Sequence, residues 1–224
     1  MALSFLFTFL ILAIGLLLPR PVKSQALERS AKAVYSSKVI PPAIREEAEI
    51  ALSYFPALED AHIVFRFKKN IKGSMMQAQP RGFFKGKEKR HYVININESF
   101  FIDQRTGTMN DVPSEALIGW LVHELGHIMD YHDRSSMGLV IFGFKYVTSA
   151  KYLRQAEETA DRFAVEHGCG DQLIQCKEFI LGHDDLPERY KEKIRRSYPD
   201  PSTIKLMIGE QEIVESDAPE DDEI

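Results

Sequence analysis

The stretch that decides the fold is PSEALIGWLVHELGHIMDYH, residues 113–132, which contains the pattern HExxH. Four residues of an α-helix turn the chain by about 400°, so His123 and His127 lie on one face, one turn apart. Two imidazoles placed in this way can bind the same zinc ion, and Glu124 lies beside the first of them. A helical apolar stripe supports the assignment; it consists of Leu117, Leu121, Leu125 and Ile128. The sequence therefore predicts a Zn²⁺ site on a long helix, with Glu124 activating a zinc-bound water.

A catalytic zinc site needs a third protein ligand, and the same stretch ends with two candidates for it. His132 lies five residues after His127, about 140° further round the helix, so it points away unless the helix has already ended. Asp133 takes the position of the last ligand in the pattern HExxHxxGxxH, but Asp130 replaces the glycine at which that pattern turns back. Helix geometry therefore disfavours both residues.

The segment QAEETADRFA, residues 155–164, supplies the third candidate. Glu157 and Asp161 are four residues apart and share a helix face. If this helix packs antiparallel to the first, Glu157 completes the metal site and Asp161 accepts the Nδ1–H of a ligand histidine. The small Ala160 permits close approach of the two helices. The alternative interpretation is that Glu157, Glu158 and Asp161 form the solvated face of an amphipathic helix, but HExxH upstream favours ligation.

These motifs resemble the gluzincin metallopeptidases, because HExxH is followed by ExxAD and then by RFAVEHG. The chain is most similar to the membrane-linked group that includes the CAAX prenyl proteases and the heat-shock zinc proteases. The resemblance covers residues 113–182, about a third of the chain, and this chain lacks the several transmembrane helices of that group. The resemblance implies a metal site with a general base, made of His123, His127 and Glu157 as ligands, Glu124 as base and Asp161 as support.

The resemblance also implies an edge strand above the active-site helix that pairs with an extended peptide. The segment HYVININ, residues 91–97, is the candidate, and an interior strand is the alternative. A peptidase also needs a donor for the oxyanion, and His, Tyr or Arg commonly serves. His183, in a loop after Gly182, is the residue predicted for this catalytic role. The alternatives left open are His167, Tyr190 and Arg195.

Length predicts one domain. The strand and helix patterns, together with the resemblance, predict an α+β fold, a small antiparallel sheet followed by a mainly helical, zincin-like catalytic domain. The chain has 224 residues, of which 44% are hydrophobic and 27% charged, so a sizeable core is expected. The domain is predicted over residues 25–210, with a helix and the sheet in 25–112 and the active-site helices in 113–200. The strand candidates are AHIVFRFKK, SMMQAQ and HYVININ.

The two ends of the chain have compositions unlike the middle. Residues 1–24 read as a signal peptide or anchor, because Ala2 to Pro19 carries no charge and small residues follow. We therefore expect export to the periplasm or outside the cell, with membrane association if the segment is not cleaved. Residues 211–224 are predicted to be an acidic disordered tail. Cys169 and Cys176 are interpreted either as a disulfide or as two buried thiols.

Two further segments have unusual composition. Between Arg66 and Arg90 there are nine Lys or Arg residues and one acidic residue, which indicates a solvated hairpin or a surface for an acidic partner or anionic lipid. The apolar stretch MGLVIFGFKYV, residues 137–147, is too short to span a bilayer. It is predicted to be a buried connector or the wall of a cleft.

The function predicted from these features is that of an exported zinc metalloendopeptidase acting on a peptide or protein substrate. The alternative is a non-catalytic, zinc-stabilised binding module in the cell envelope. Glu124 favours the peptidase, because a structural zinc site is closed by four protein ligands and has no need of a base. A net charge of −5 gives no indication of a nucleic-acid partner.

Overall fold

The computed structural model describes residues 37–69, 71, 73–85, 89–98, 100–102, 105–107, 111–184 and 186–216. The compact unit that holds all of these residues begins at Ser37. The predicted signal or anchor segment lies outside the described residues, as do residues 217–224 of the predicted tail. No helix in the described part of the chain combines the length and hydropathy that crossing a bilayer would require.

A four-stranded sheet occupies the first half of the described chain. Its strands are β1 (Lys38–Val39), β2 (Ile63–Lys68), β3 (Met76–Arg81) and β4 (His91–Asn97), in the order β1-β2-β4-β3. β1 is parallel to β2 and β2 is parallel to β4, whereas β3 is antiparallel to β4. A separate antiparallel hairpin follows, formed by β5 (Phe100–Ile102) and β6 (Arg105–Gly107). The two longest parallel neighbours, β2 and β4, thus form the centre of the sheet.

The α+β class is confirmed, but the prediction of an antiparallel sheet was wrong for two of its three strand pairs. The prediction that HYVININ, residues 91–97, is the edge strand was also wrong. The alternative interpretation, an interior strand, is confirmed, since this segment is β4. The reason is burial on both faces, since all residues from Tyr92 to Ile96 are buried, as in a central strand. The edge strands are β1 and β3, and Pro80 of β3 has no N–H to donate to a further strand.

In the described part of the chain, seven helices surround and follow the sheet. They are α1 (Arg45–Ser53), α2 (Ser114–Asp133), α3 (Ser136–Thr148), α4 (Ala150–Glu166), α5 (Gly170–Gly182), α6 (Glu188–Ser197) and α7 (Pro201–Ser216). The predicted long helix is confirmed as α2, which packs against α1, α4, α5 and β3. Every residue of α2 from Ala116 to Ile128 is buried. The helix that carries HExxH is therefore the centre of the fold.

Two glycines let the neighbouring helices approach α2 closely. A Cβ atom on Gly126 would lie 2.2 Å from the carbonyl oxygen of Ala160 in α4. A Cβ atom on Gly119 would lie 2.0 Å from the carbonyl oxygen of Gln172 in α5. Real Cβ atoms cannot approach backbone so closely, so each contact requires glycine. The expected close approach at Ala160 is present, and Gly126 is the partner that makes it.

The C-terminal helix α7 was not predicted from the sequence. Its buried Ile204 and Met207 explain it, since α7 packs against α4 and α5. The helix continues to Ser216, so the predicted tail from residue 211 begins within it. The buried apolar face of α7 stabilises the helix, and its exposed positions tolerate acidic residues. Acidic composition alone therefore did not indicate where the helix ends.

The two cysteines are free thiols and both are buried. Cys169 lies just before α5 and Cys176 lies within it, as the interpretation of two buried thiols requires. Burial raises the pKa of each thiol to about 12, which keeps both protonated and unreactive at neutral pH.

Candidate metal centre

Three buried side chains from two helices converge on one point. His123 and His127 project from α2, and Glu157 projects from α4. Oε2 of Glu157 lies 3.1 Å from Nε2 of His123 and 3.2 Å from Nε2 of His127. The two imidazole rings are 4.8 Å apart and meet edge to face. The spacing of HExxH and the packing of α4 on α2 together produce this arrangement.

The separations of these three side chains fit the coordination sphere of a metal ion. Ligand atoms of a tetrahedral zinc site are about 3.4 Å apart, because each bond to the metal is about 2.0–2.1 Å long. One ligand atom from each of His123, His127 and Glu157 lies within 4.8 Å of the others, and all three residues are buried. This group can therefore hold a metal ion.

A chain of charges behind His123 fixes its orientation. Nδ1 of His123 donates to Oδ1 of Asp161 at 2.8 Å, and the other oxygen of Asp161 lies 2.8 Å from Nζ of Lys177. Burial lowers the pKa of His123, but the carboxylates of Asp161 and Glu157 outweigh burial and raise the pKa to about 10. Burial raises the pKa of Asp161, and Lys177 and His123 together bring it below its usual value. Nε2 of His123 is thus left facing the metal position.

Glu157 is bound on both of its oxygens. One oxygen faces the two histidines, and the other accepts a hydrogen bond of 2.5 Å from the hydroxyl of Tyr146 in α3. Burial raises the pKa of Glu157, but His127 and His123 lower it well below its usual range, so the residue is a carboxylate. Nδ1 of His127 is buried without a hydrogen-bond partner in the described structure, so the two histidines are not equivalent.

Glu124 lies beside the first ligand with a different partner. Its Oε2 accepts a hydrogen bond of 2.5 Å from the backbone N–H of Ala78 in β3. Burial raises the pKa of Glu124 above its usual value, and His123 and His127 oppose part of that shift. A raised pKa makes the carboxylate a stronger base, which suits a general base.

A cleft of about 530 Å³ opens above these residues. Its floor contains the candidate metal ligands and Glu124, and β3 forms one wall. Helix α3 forms the opposite wall through Leu139, Phe142 and Tyr146. The prediction that residues 137–147 form a cleft wall is therefore confirmed for this face of α3. Because β3 is an edge strand and Ala78 N–H points to Glu124, the free edge of β3 faces the cleft.

The rejected ligand candidates lie outside the cluster. His132 is exposed, and its Nδ1 lies 3.1 Å from the hydroxyl of Tyr92. Asp133 is exposed as the last residue of α2, and Asp130 pairs with Arg134 at 2.8 Å. The helix includes both positions and ends at Asp133, so His132 and Asp133 point away as helix geometry predicted.

His183 lies at the end of α5, where its ring contacts Phe179. It is not among the residues that line the cleft, and its predicted role toward the oxyanion stays a prediction.

None of the three alternatives to His183 is among the residues that line the cleft. His167 stacks on Phe55, and Arg195 pairs with Glu188 at the surface. Tyr190 is half-buried and lines a small cavity that His123 and Glu124 also line.

Three donors near the candidate metal ligands were not predicted from the sequence. Tyr146 binds Glu157, the ring of Tyr198 lies 5.6 Å from that of His123, and Lys193 lines the cleft. Lys177 was also missed, although it shares a helix face with the buried Leu173 and Ile180. The one feature of the sequence that could have identified Lys177 is therefore its position, where the helical pattern predicts a buried apolar residue.

Comparison of the chain with protein-family models, with curated proteins and with solved structures gives no match in any of the three.

Proposed function

We propose that the protein is a zinc-dependent metallopeptidase of the gluzincin type. The observation that carries the proposal is the position of Glu124, a buried carboxyl group next to a three-ligand metal cluster and below an edge strand. A purely structural metal site would need a fourth protein ligand and no neighbouring base. Glu157 as third ligand and Asp161 as its neighbour on α4 support the gluzincin type.

The donor set favours zinc among biological metals. Two imidazole nitrogens and one carboxylate oxygen at near-tetrahedral separations are typical of catalytic zinc with one open position. Zinc bound there would supply a Lewis acid that polarises the carbonyl of the scissile bond. Glu157 and Asp161 would together balance the positive charge of such an ion, and Lys177 on the far side of Asp161 compensates for the second carboxylate.

Glu124 would perform the proton transfers. Its position in the cleft floor allows it to take a proton from the attacking water and to deliver that proton to the leaving amine. The raised pKa of its carboxyl group suits both steps, since the same group must accept and then release a proton. Tyr198 and Lys193 are placed at the cleft to donate hydrogen bonds to the negative charge that develops on the carbonyl oxygen.

The free edge of β3 would bind the substrate as an added strand. An extended peptide can pair with the outward-facing backbone groups of β3, and the alternation of strand side chains would then place every second residue toward α3. Pro80 limits this pairing, because it offers a carbonyl oxygen and no N–H. Peptides are therefore expected to pair mainly with Met76 and with the carbonyl oxygen of Ala78, because the N–H of Ala78 is already donated to Glu124.

The test is hydrolysis of casein by the zinc-loaded protein and its Glu124→Gln variant. Glu124→Gln should retain one zinc per chain and lose hydrolysis by about 100-fold or more. Glu115→Gln is the matched control, since Glu115 is an exposed residue of the same helix, and it should keep full activity. Zinc binding without hydrolysis in the unaltered protein would instead favour the non-catalytic binding module. Full activity of Glu124→Gln would refute the mechanism.

A further inference from the structure

Helix α3 has two faces in opposite environments. Leu139, Phe142 and Tyr146 face inward and line the cleft. The outward face is apolar as well, and its side chains are exposed: Met137 66%, Val140 41%, Ile141 48%, Phe144 68% and Val147 79%. Val147, near the end of the helix, also borders the cleft. These five are half of the ten large apolar side chains that are exposed in the described part of the chain. The exposed apolar surface of the protein is thus concentrated on one helix.

Phe84 extends this apolar face. Its side chain is 78% exposed, and the short 3₁₀ turn that carries it contacts α3. The hydroxyl of Ser136 at the start of α3 donates to the carbonyl oxygen of Phe83 at 2.6 Å, which holds the turn against the helix. We call Phe84 together with the five outward residues of α3 the apolar patch.

The charges beside the apolar patch are basic. Residues 134–154 contain four basic residues and no acidic one, although the whole chain has a net charge of −5. Lys145, Lys151 and Arg154 are exposed. Near Phe84 in the sequence, Arg81 and Lys89 are exposed as well, whereas Arg90 is buried against the backbone at the end of α2. Exposed basic residues therefore accompany both segments of the patch.

We propose that the apolar patch docks on the surface of an anionic lipid bilayer. A helix with an apolar outer face and basic residues beside it lies in the plane of the membrane interface, where lysine and arginine reach the lipid phosphates. The 13 residues of α3 are too few to span a bilayer, so the contact is one with its surface. A second copy of the chain is a poorer occupant, because pairing two patches would bring two basic rims together.

Docking through the apolar patch determines how the cleft is oriented relative to the bilayer. The inward face of α3 is a cleft wall, so the cleft would open beside the lipid headgroups. This orientation follows from the two faces of α3 and holds whether or not the cleft cleaves peptides.

The test uses the full chain carrying an environment-sensitive fluorophore on a single new cysteine. Phe144→Cys places the fluorophore in the patch, and Leu206→Cys on α7 is the matched control, since the two side chains are 68% and 69% exposed. Cys169 and Cys176 are buried and should not react. Vesicles of equal parts phosphatidylglycerol and phosphatidylcholine should shift the emission at position 144 to the blue and raise it about twofold or more. Pure phosphatidylcholine vesicles should have a smaller effect, and the fluorophore at position 206 should not respond.

Charge reversal provides an independent measurement. In the Phe144→Cys background, Lys151→Glu with Arg154→Glu should weaken binding to the anionic vesicles by roughly tenfold or more, and Lys205→Glu on α7 should not. Each of three results would overturn the proposal: no response at position 144, an equal response at 144 and 206, or a response without vesicles that grows with protein concentration. The last result would identify self-association as the role of the patch.

Discussion

Asp161 binds His123 with one carboxylate oxygen and Lys177 with the other, each at 2.8 Å. The three side chains are distant from one another in the sequence, on α2, α4 and α5. In the structure they form one buried row that ends at the candidate metal position. A hydrogen bond from Nδ1 of the histidine to a carboxylate leaves Nε2 free to bind a metal and raises its basicity. The metal centre therefore depends on residues that do not touch the metal.

Removing the support of His123 should weaken zinc binding. Asp161→Asn keeps the shape of the side chain and removes the negative charge, so zinc affinity should fall about 10- to 100-fold. Competition with a chromophoric chelator measures the change. Asp171→Asn, at an exposed position in the first turn of α5, is the control and should bind zinc as the unaltered protein does. An unchanged affinity in Asp161→Asn would contradict the role given to this carboxylate.

Removing Lys177 should reduce stability. Its ammonium group is 6% exposed and is paired with a fully buried carboxylate, so Lys177→Met leaves the charge of Asp161 uncompensated. The free energy of unfolding should fall by about 3–5 kcal/mol, as measured by urea denaturation. The double variant Lys177→Met with Asp161→Asn removes both charges and should recover part of the loss. Lys205→Met, on the exposed side of α7, should change stability little; a similar loss in both lysine variants would refute the explanation.

Zinc affinity should rise with pH. His123 without metal has a pKa of about 10, raised from 6.5, so at neutral pH the ion must displace a proton from this residue. Apparent affinity should therefore increase about tenfold per pH unit between pH 7 and 9 and level off above pH 10. Chelator competition at several pH values measures the slope. A slope of zero over this range would show that His123 is already neutral in the metal-free protein.

The metal-free protein should show the opposite trend in stability. A raised folded-state pKa contributes stability that is fully present below the unfolded value of 6.5 and is lost as pH rises toward 10. Thermal unfolding of the chelator-treated protein should therefore occur at lower temperature at pH 9 than at pH 6. In Asp161→Asn, which lacks the main partner of His123, the difference should shrink.

Gly126→Ala should separate α2 from α4. The new Cβ would lie 2.2 Å from the carbonyl oxygen of Ala160, and backbone at that distance can only move away. The free energy of unfolding should fall by about 1–3 kcal/mol, and zinc affinity should fall with it because Glu157 moves with α4. Gly209→Ala is the control, since nothing lies within 4 Å of its Cβ position in α7. That change should stabilise the protein by up to about 1 kcal/mol.

The parts of the site that follow from local helix geometry could be predicted from the sequence. His123, His127 and Glu124 are related by the helical repeat alone, and Glu157 and Asp161 are related in the same way on the next helix. The rejection of His132 and Asp133 needed only the angle per residue. The structure brings both groups together, and whether the resulting site cleaves peptides stays a proposal.

The parts that depend on contacts distant in sequence could not be predicted. The position of β4 between β2 and β3 depends on the order of strands, which alternation within one strand does not contain. Lys177 is recognised as a partner of Asp161 only when α5 is packed against α2 and α4. The preference for His183 relied on its place in a loop, and a loop position does not show which way a side chain faces.

Pro80 has a consequence for the solubility of the protein. The free edge of β3 could pair with the same edge of a second molecule, and an unprotected edge of this kind starts aggregation between sheets. Because Pro80 lacks an N–H, a continuous ladder between two copies would be interrupted at that residue. The strand can thus remain open along Met76–Ala78 and still resist polymerisation. At high concentration Pro80→Ala should form oligomers that the unaltered protein does not form, which light scattering would detect.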